Sequence, residues 1–348
     1  MPMSSADRHA AAPALAAVEK RFSAAAERGF SRAALASTAA ATWLALAALT
    51  LRWPDVGEWG RGSELAIAAS VIGLCLAALA CVEFGAFGPA ATARAAPLRR
   101  LTPWLCALGI AFSIWELLAA KTGVLPQPFF PPPQAILEVF TDDYAKLAES
   151  VLASVKLELL GFAFGASAGF LIGVWLGWSR RFGYWVHPVL RLIGPLPATA
   201  WLPIAFFAFP SSWSASIFLI GLTTGFPVAV LTSSGVSSVN TAYYDVARTL
   251  GAGRWFLVWR VAVPAALPHV FVGLFMGLSA SFAVLVTAEM MGVKAGLGFY
   301  LQWAQSWASY ANMYAALLVM SAMCAGLITL LFKVRARLMS YQKAEVKW

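Results

Sequence analysis

The sequence predicts an all-α fold, a polytopic membrane bundle of about eight transmembrane helices. Composition is the first reason, because 60% of the 348 residues are hydrophobic and only 12% are charged, whereas soluble domains carry about 25% charged residues. The second reason is that the charge-poor runs match the roughly 20 apolar residues that a helix needs to cross a bilayer. The third is the uneven placement of Lys and Arg along the chain.

Each predicted span corresponds to an apolar run. The first four are expected at 33–51, 65–82, 101–120 and 159–179. The run 192–244 contains no charged residue and is interrupted near Pro210, so it is expected to hold two spans. The last two spans are expected at 261–288 and 295–332.

The basic residues orient these spans, because Lys and Arg collect on the cytoplasmic side of membrane proteins. With segment 241–264 on that side, only six of the 25 basic residues fall outside, namely Arg52, Arg61, Lys121, Lys146, Lys156 and Lys294. We therefore expect a multi-pass protein of the plasma membrane (the bacterial inner membrane) with both termini in the cytoplasm. This orientation accounts for most of the net charge of +9, so a nucleic-acid partner is not expected.

The chain divides into five predicted parts. They are a cytoplasmic tail (1–32), a transmembrane hairpin (33–98), one span with an outer proline-rich segment (99–158), a charge-poor core (159–335) and a cytoplasmic tail (336–348). The hairpin carries no motif, so we expect it to pack at the periphery of the bundle and to be dispensable for transport.

Glycines recur every four residues in the first span of the core, at Gly161, Gly165, Gly169, Gly173 and Gly177. Residues four apart share one face of a helix, so these glycines predict a groove where another backbone approaches closely. Such a face serves either ordinary helix packing or a surface that moves against a gate helix.

Residues that could line a path through the membrane are sparse. Three prolines between 195 and 203 break the backbone at membrane depth, which predicts either a kinked interfacial helix end or an irregular element beside a cavity. An acid near a span end, such as Glu289, either serves a substrate or gate or reaches water. The path candidates are Pro195, Pro197, Thr199, Trp201, Thr223, Thr224, Ser279 and Glu289.

The segment 241–264 has the most informative spacing in the chain. Asp245, Val246 and Ala247 are followed by Gly251 and, thirteen residues later, by Pro264. We expect a helix over 241–250 with Asp245 at its start, where an acid complements the helix dipole. Small residues at 247 and 251 would let this helix press against another protein, and Arg248 would add charge to that surface.

This spacing resembles the EAA loop of ABC importer permeases, in which an acid and two small residues are followed by Gly and then by a hydrophobic pair and Pro. The resemblance extends from about 134 to 337 and includes residues 130–136, 194–203, 288–290 and 296–298. It is closest to the nitrate/sulfonate/taurine branch of the binding-protein-dependent permeases. Relatives in this branch have about six spans, so the hairpin 33–98 is a departure.

The resemblance implies a type I importer. Two permease copies would form the path for a small solute, an anion such as nitrate, sulfonate or taurine, within membrane lipid. A soluble binding protein would deliver the solute, and two ATPase subunits would each receive one loop through Asp245, Val246, Ala247, Arg248, Gly251 and Pro264.

No catalytic residue and no metal ligand set is predicted, so the chain is not expected to be an enzyme. The sequence lacks a Gly-x-x-x-x-Gly-Lys-Ser/Thr phosphate loop, which places ATP and Mg²⁺ on the partner ATPase. A secondary transporter with a cytoplasmic interaction loop is the main alternative, and it would show repeated halves and midplane charges. A membrane-embedded enzyme is a second alternative and would need a cluster of His, Asp and Glu.

Overall fold

The N-terminal part of the chain, up to residue 141, is a group of helices. The structure, a computed structural model, describes residues 33–83, 96–194 and 196–339. Its contacts separate the chain into two units, Met1–Thr141 and Asp142–Trp348. Within unit 1 the helices are α1 (Ala33–Arg52), α2 (Gly62–Glu83), α3 (Ala96–Glu116) and α4 (Pro133–Asp142). A π-helical turn, Leu117–Lys121, continues α3.

The hairpin α1–α2 packs closely on α3. Small residues of α1 and α2 form a buried cluster against Leu105 and Phe112 of α3. The indole Nε1 of Trp43 donates to the Leu105 carbonyl at 2.8 Å. Buried Lys121 donates from its Nζ to the carbonyls of Thr50 (3.1 Å) and Trp53 (2.7 Å), so the charge that follows α3 is bound by the hairpin. The hairpin is therefore integral to the packing of unit 1, and its position at the periphery of the transport bundle stays a prediction.

Unit 2 contains eight α-helices within its described residues. They are α5 (Tyr144–Trp178), α6 (Arg180–Ile193), α7 (Leu202–Ala208), α8 (Ser212–Ser237), α9 (Thr241–Thr249), α10 (Arg254–Met291), α11 (Leu297–Ser306) and α12 (Tyr310–Leu338). A 3₁₀ turn, Ala198–Trp201, precedes α7. The helices α5, α8 and α10 form the centre, where Leu157, Leu219, Ile220 and Leu285 are almost fully buried.

The span count agrees with the prediction only if one bent pair is counted. Within the described ranges, seven helices are long and apolar enough to cross a membrane. An eighth span exists if α6 and the segment Ala198–Ala208, which are bent by 88°, cross together. A bend here follows from the prolines at 195–203, which remove backbone donors.

Three predicted boundaries were wrong. The helix α5 begins at Tyr144, so the predicted division at 158/159 lies inside a helix. The run 295–332 contains two helices, α11 and α12, because residues 307–309 interrupt it with a positive φ of 51° at Ala308. The helix α10 begins at Arg254, seven residues before the apolar run. The predicted tail 1–32 and most of the tail 336–348 lie outside the described residues.

Candidate functional site

The helix α9 lies on the surface of unit 2. Asn240 caps its start, where Oδ1 accepts the Ala242 N–H at 3.0 Å. No residue of α9 is buried. Tyr243, Val246 and Leu250 are 64%, 61% and 82% exposed and lie on one helical face. An apolar face this exposed on a short helix is typical of a contact surface for another protein.

Asp245 occupies the middle of α9, so the prediction that it starts the helix was wrong. Its Oδ1 lies 3.3 Å from Nη1 of Arg248, and the two side chains are 67% and 62% exposed. An ion pair with this exposure contributes little to stability. Both side chains are therefore accessible to a partner, while Ala247, one residue before Arg248, is half-buried.

The turn after α9 requires Gly251. This residue has φ +82°. Its N–H donates to the Arg248 carbonyl at 2.9 Å, and the Ala252 N–H donates to the Ala247 carbonyl at 3.0 Å. These two bonds form a Schellman motif, which ends a helix with a left-handed residue that is usually Gly. A Cβ on Gly251 would meet no atom within 4 Å, so backbone conformation and not crowding within the chain demands glycine.

Pro264 lies inside a continuous helix. A π-helical turn, Leu257–Ala262, occurs near the start of α10, and the Val263 N–H donates to the Val258 carbonyl. Pro264 follows immediately, at the first positions of the regular α-helical part. Because Pro has no N–H, the change from π to α geometry places it where no donor is needed. The second half of the motif therefore connects α9 directly to a membrane-spanning helix.

The five core glycines face α8. Gly165 and Gly169 lie against Gly221 and Gly225. A Cβ on Gly173 would lie 2.6 Å from the Ala229 carbonyl oxygen, and one on Gly177 would lie 2.7 Å from that of Ser233. Gly161 similarly faces Ile220. The backbones of α5 and α8 are thus in contact along about four turns, and no solute fits between them.

Glu289 is bound to the start of α11. It is 1% exposed, and its Oε1 accepts the Ser154 hydroxyl at 2.7 Å. Its Oε2 accepts the Gly298 N–H at 2.8 Å, and the Ser154 Oγ accepts the Leu297 N–H at 2.8 Å. Glu289 and Ser154 together satisfy two of the N–H groups that a helix start leaves free. Gly296, with φ +112°, lets the chain turn beside the carboxylate.

A second buried carboxylate, Glu158, was missed from the sequence. The Ser281 hydroxyl donates to its Oε1 at 2.5 Å, and its Oε2 has no hydrogen-bond partner among the described residues. The sequence placed residue 158 outside the membrane because α5 was expected to start at 159. The glycine face continues at helical spacing from Gly161 back through Glu158 to Ser154. Following this face along the sequence would have identified Glu158.

One side of α11 is bound by a polar cluster. The Tyr300 hydroxyl donates to Asp143 Oδ2 at 3.2 Å, and the Asn312 amide donates to the same oxygen at 3.1 Å. Burial raises the pKa of Tyr300, and the Asp143 carboxylate adds to the effect, so the hydroxyl stays protonated and donates. The helix α11 is therefore held at its start and along its side.

The remaining path candidates do not form one cluster. Thr223 donates to the Leu219 carbonyl at 2.8 Å, and Ser279 donates to that of Phe275 at 2.8 Å. Thr224 is fully buried against α10. Pro197 is exposed, while Thr199 and Trp201 are half-buried in the 3₁₀ turn. Pro195 lies outside the described residues.

Comparison with known proteins gives a consistent result. Residues 167–340 match the family described as binding-protein-dependent transport system inner membrane component. The chain is 28% identical over 213 residues to a nitrate import permease of Synechococcus elongatus, covering 59% of this chain and 76% of the relative. It is 32% identical over 213 residues, with the same two coverages, to a taurine transport permease of Escherichia coli. It is 32% identical over 184 residues to a bicarbonate transport permease of S. elongatus, covering 52% and 63%.

These similarities confirm the predicted family and fold class, and they do not favour the secondary transporter. The family consists of transport components of multi-subunit import systems, which agrees with the exposed helix α9, the glycine turn at 251 and the direct connection to α10. The chain belongs to the binding-protein-dependent inner membrane transport components and is a multi-pass permease of the type I ABC importer class, in the nitrate/sulfonate/taurine branch.

Proposed function

We propose that this permease imports a small anion with a delocalised negative charge, such as nitrate, a sulfonate, taurine or bicarbonate. The relatives named for nitrate, taurine and bicarbonate transport support this class, because each of those solutes carries an anionic oxygen group. A separate binding protein delivers the anion at the outer face. A separate ATPase drives its movement.

The exposed apolar face of α9 is the observation that supports an ATPase partner in this proposal. Tyr243, Val246 and Leu250 are mostly exposed within the described part of the chain, and the Schellman turn fixes their orientation relative to α10. A force applied to α9 passes into α10 without an intervening flexible loop. Such a connection is what an ATPase needs to move a membrane helix from the cytoplasm.

Two copies of the chain form the path. The contact between α5 and α8 is closed by glycine backbones, so the anion does not pass between these two helices of one copy. A path that lies between two copies of the chain avoids this closed contact, and a homodimer is the simplest arrangement. Membrane lipid covers the remaining apolar faces.

ATP and Mg²⁺ bind to the ATPase and not to this chain, which is not itself an enzyme. The absence of a phosphate loop from the whole sequence supports this assignment. The coupling loop lies in the cytoplasm with both termini, as the distribution of Lys and Arg favours. Labelling of single cysteines at 57 and 296 from the outer side tests the orientation.

The experiment that tests the docking role of α9 compares two neighbouring substitutions. Leu250→Glu places a charge on the exposed apolar face, whereas Thr249→Glu places one at its side. We expect Leu250→Glu to lower the amount of ATPase that co-purifies with the permease by roughly tenfold, equivalent to about 1.4 kcal/mol, and to reduce anion uptake in parallel. Equal co-purification with both variants would contradict the assignment of this face.

A further inference from the structure

A large groove opens between α6 and α9 at the end of the bundle that carries the coupling loop. Its volume is about 1100 Å³. Five elements contribute to it, namely the last turn of α5, the helix α6, the last turn of α8, the helix α9 and the start of α10. The side of α9 that faces the groove, with Thr241, Tyr244 and Arg248, is opposite to its exposed apolar face.

The groove is strongly basic. Arg180 of α6, Arg248 of α9 and Arg254 of α10 all line it, together with His187. No Asp or Glu occurs among the described residues that line it. Arg248 has one weak partner, Asp245 at 3.3 Å, on the exposed side of α9. Three guanidinium groups that share one concave space without a carboxylate create a positive potential there.

Other donors lie in the same space. The hydroxyl residues Ser237, Thr241 and Tyr244 line the groove. The helix α10 begins there, at Arg254, and no side chain caps its start. The first N–H groups of this 38-residue helix and its dipole add to the positive potential.

We propose that this groove is an oxyanion-binding site. Guanidinium groups bind two oxygens of a sulfate, phosphate or carboxylate at once, which a mobile ammonium group does not do as well. The site needs no assumption about the transported solute. A bound anion would neutralise the repulsion among Arg180, Arg248 and Arg254 and would hold the polar side of α9 against α6.

The anion has two possible sources, a soluble anion of the cytoplasm or a lipid phosphate. The geometry of α6 favours the soluble source. Its apolar face exposes Trp185 (75%), Val189 (51%) and Leu192 (74%), while Arg180 and His187 lie on the opposite face. A helix with these two faces turns its apolar face towards the acyl chains and its polar face towards water. The groove therefore opens away from the acyl chains.

The experiment uses the full chain in nanodiscs of phosphatidylcholine and measures the thermal unfolding midpoint during a sodium sulfate titration. Sodium chloride at equal ionic strength is the reference. Arg180→Gln and Arg254→Gln are the test variants. Each has a matched control that does not line the groove, Arg181→Gln on α6 and Arg260→Gln on α10.

We expect sulfate to raise the midpoint of the wild type and of both controls. The half-saturating sulfate concentration should increase at least roughly tenfold in each test variant, because each loses one charge-assisted contact. A parallel series in nanodiscs with phosphatidylglycerol and no sulfate identifies the source. Stabilisation that depends on Arg180 in this series, without a sulfate response, would assign the site to a lipid phosphate and still support it.

Two results would overturn the proposal. One is a sulfate response that is equal in test and control variants, or that is absent while phosphatidylglycerol also gives no stabilisation that depends on Arg180. The other is that Arg180→Gln and Arg254→Gln leave the sulfate response unchanged but weaken ATPase co-purification, which would make the groove a protein contact. Loss of anion uptake does not enter this test, so failure of the proposed transport function would leave its outcome unaffected.

Discussion

The ammonium of Lys121 lies 2.5 Å from the carboxylate of Asp55, and the Lys121 side chain is completely buried. Lys121 ends the π-turn that follows α3, whereas Asp55 belongs to the loop between α1 and α2. Glu116 lies 3.7 Å from the same ammonium and accepts the Gln134 amide at 3.0 Å. The N-terminal hairpin thus supplies the nearest counter-charge to the buried cation that ends the π-turn after α3.

This pair predicts that the hairpin contributes to stability. Removing one partner of a buried ion pair costs roughly 3–5 kcal/mol. Asp55→Asn should cost less, about 2 kcal/mol, because the Asp55 side chain is 22% exposed and Glu116 remains. The measurement is the thermal midpoint of the purified protein, with Glu58→Gln in the same loop as the control. Equal midpoints for Asp55→Asn and the wild type would contradict this contribution to stability.

The turn at Gly251 gives a prediction about conformation. A side chain in the left-handed region costs roughly 1–2 kcal/mol, except that Asn tolerates it better. Gly251→Ala should therefore reduce anion uptake, while Gly251→Asn should retain more of it. Gly253→Ala is the control, because it also meets no atom within 4 Å but has φ −75°.

An alternative explanation of Gly251 is that the ATPase needs a flat surface there. In that case Asn would reduce uptake more than Ala, because its side chain is larger. Uptake normalised to membrane abundance distinguishes the two orders.

The contact between α5 and α8 predicts a strong effect of a single methyl group. A Cβ at residue 169 would lie 2.9 Å from the Gly225 Cα, so neither backbone can move aside cheaply. Gly169→Ala should lower stability by about 1–3 kcal/mol. Gly326→Ala in α12 meets no atom within 4 Å and should leave stability unchanged or raise it slightly. If both variants unfold at the same temperature as the wild type, the close contact is wrong.

The bonds of Glu289 predict a structural role instead of a contact with the solute. Glu289→Ala leaves the buried Gly298 N–H without its acceptor, which costs about 1–3 kcal/mol. The expected result is a lower thermal midpoint, while Ser279→Ala, whose hydroxyl bonds only its own helix, should behave like the wild type. An unchanged midpoint with a raised KM for uptake would instead indicate that Glu289 contacts the solute.

Much of the segment 241–264 could be predicted because its signals are local. An acid, two small residues, Gly and Pro at fixed spacing specify a short helix, a left-handed turn and a following helix. The one local error concerned Asp245, since Asn240 is the better capping residue and lies five positions earlier.

The hydrogen bonds of Glu158 and Glu289 could not be predicted because their partners are distant in sequence. Ser154 and Glu289 are 135 residues apart, and Glu158 and Ser281 are 123 residues apart. Hydropathy also assigns charged residues to water, so the predicted span began only after Glu158. The same rule merged α11 with α12, because hydropathy does not register a turn made by apolar residues.

The central claim is that an ATPase drives anion import through this permease. The most direct measurement is uptake of labelled nitrate or taurine by proteoliposomes that contain the permease, its ATPase and its binding protein, with ATP enclosed at the ATPase side. We expect uptake only when all three proteins and ATP are present, and little uptake with Leu250→Glu. Uptake that an ion gradient drives without ATP or the ATPase would contradict the account.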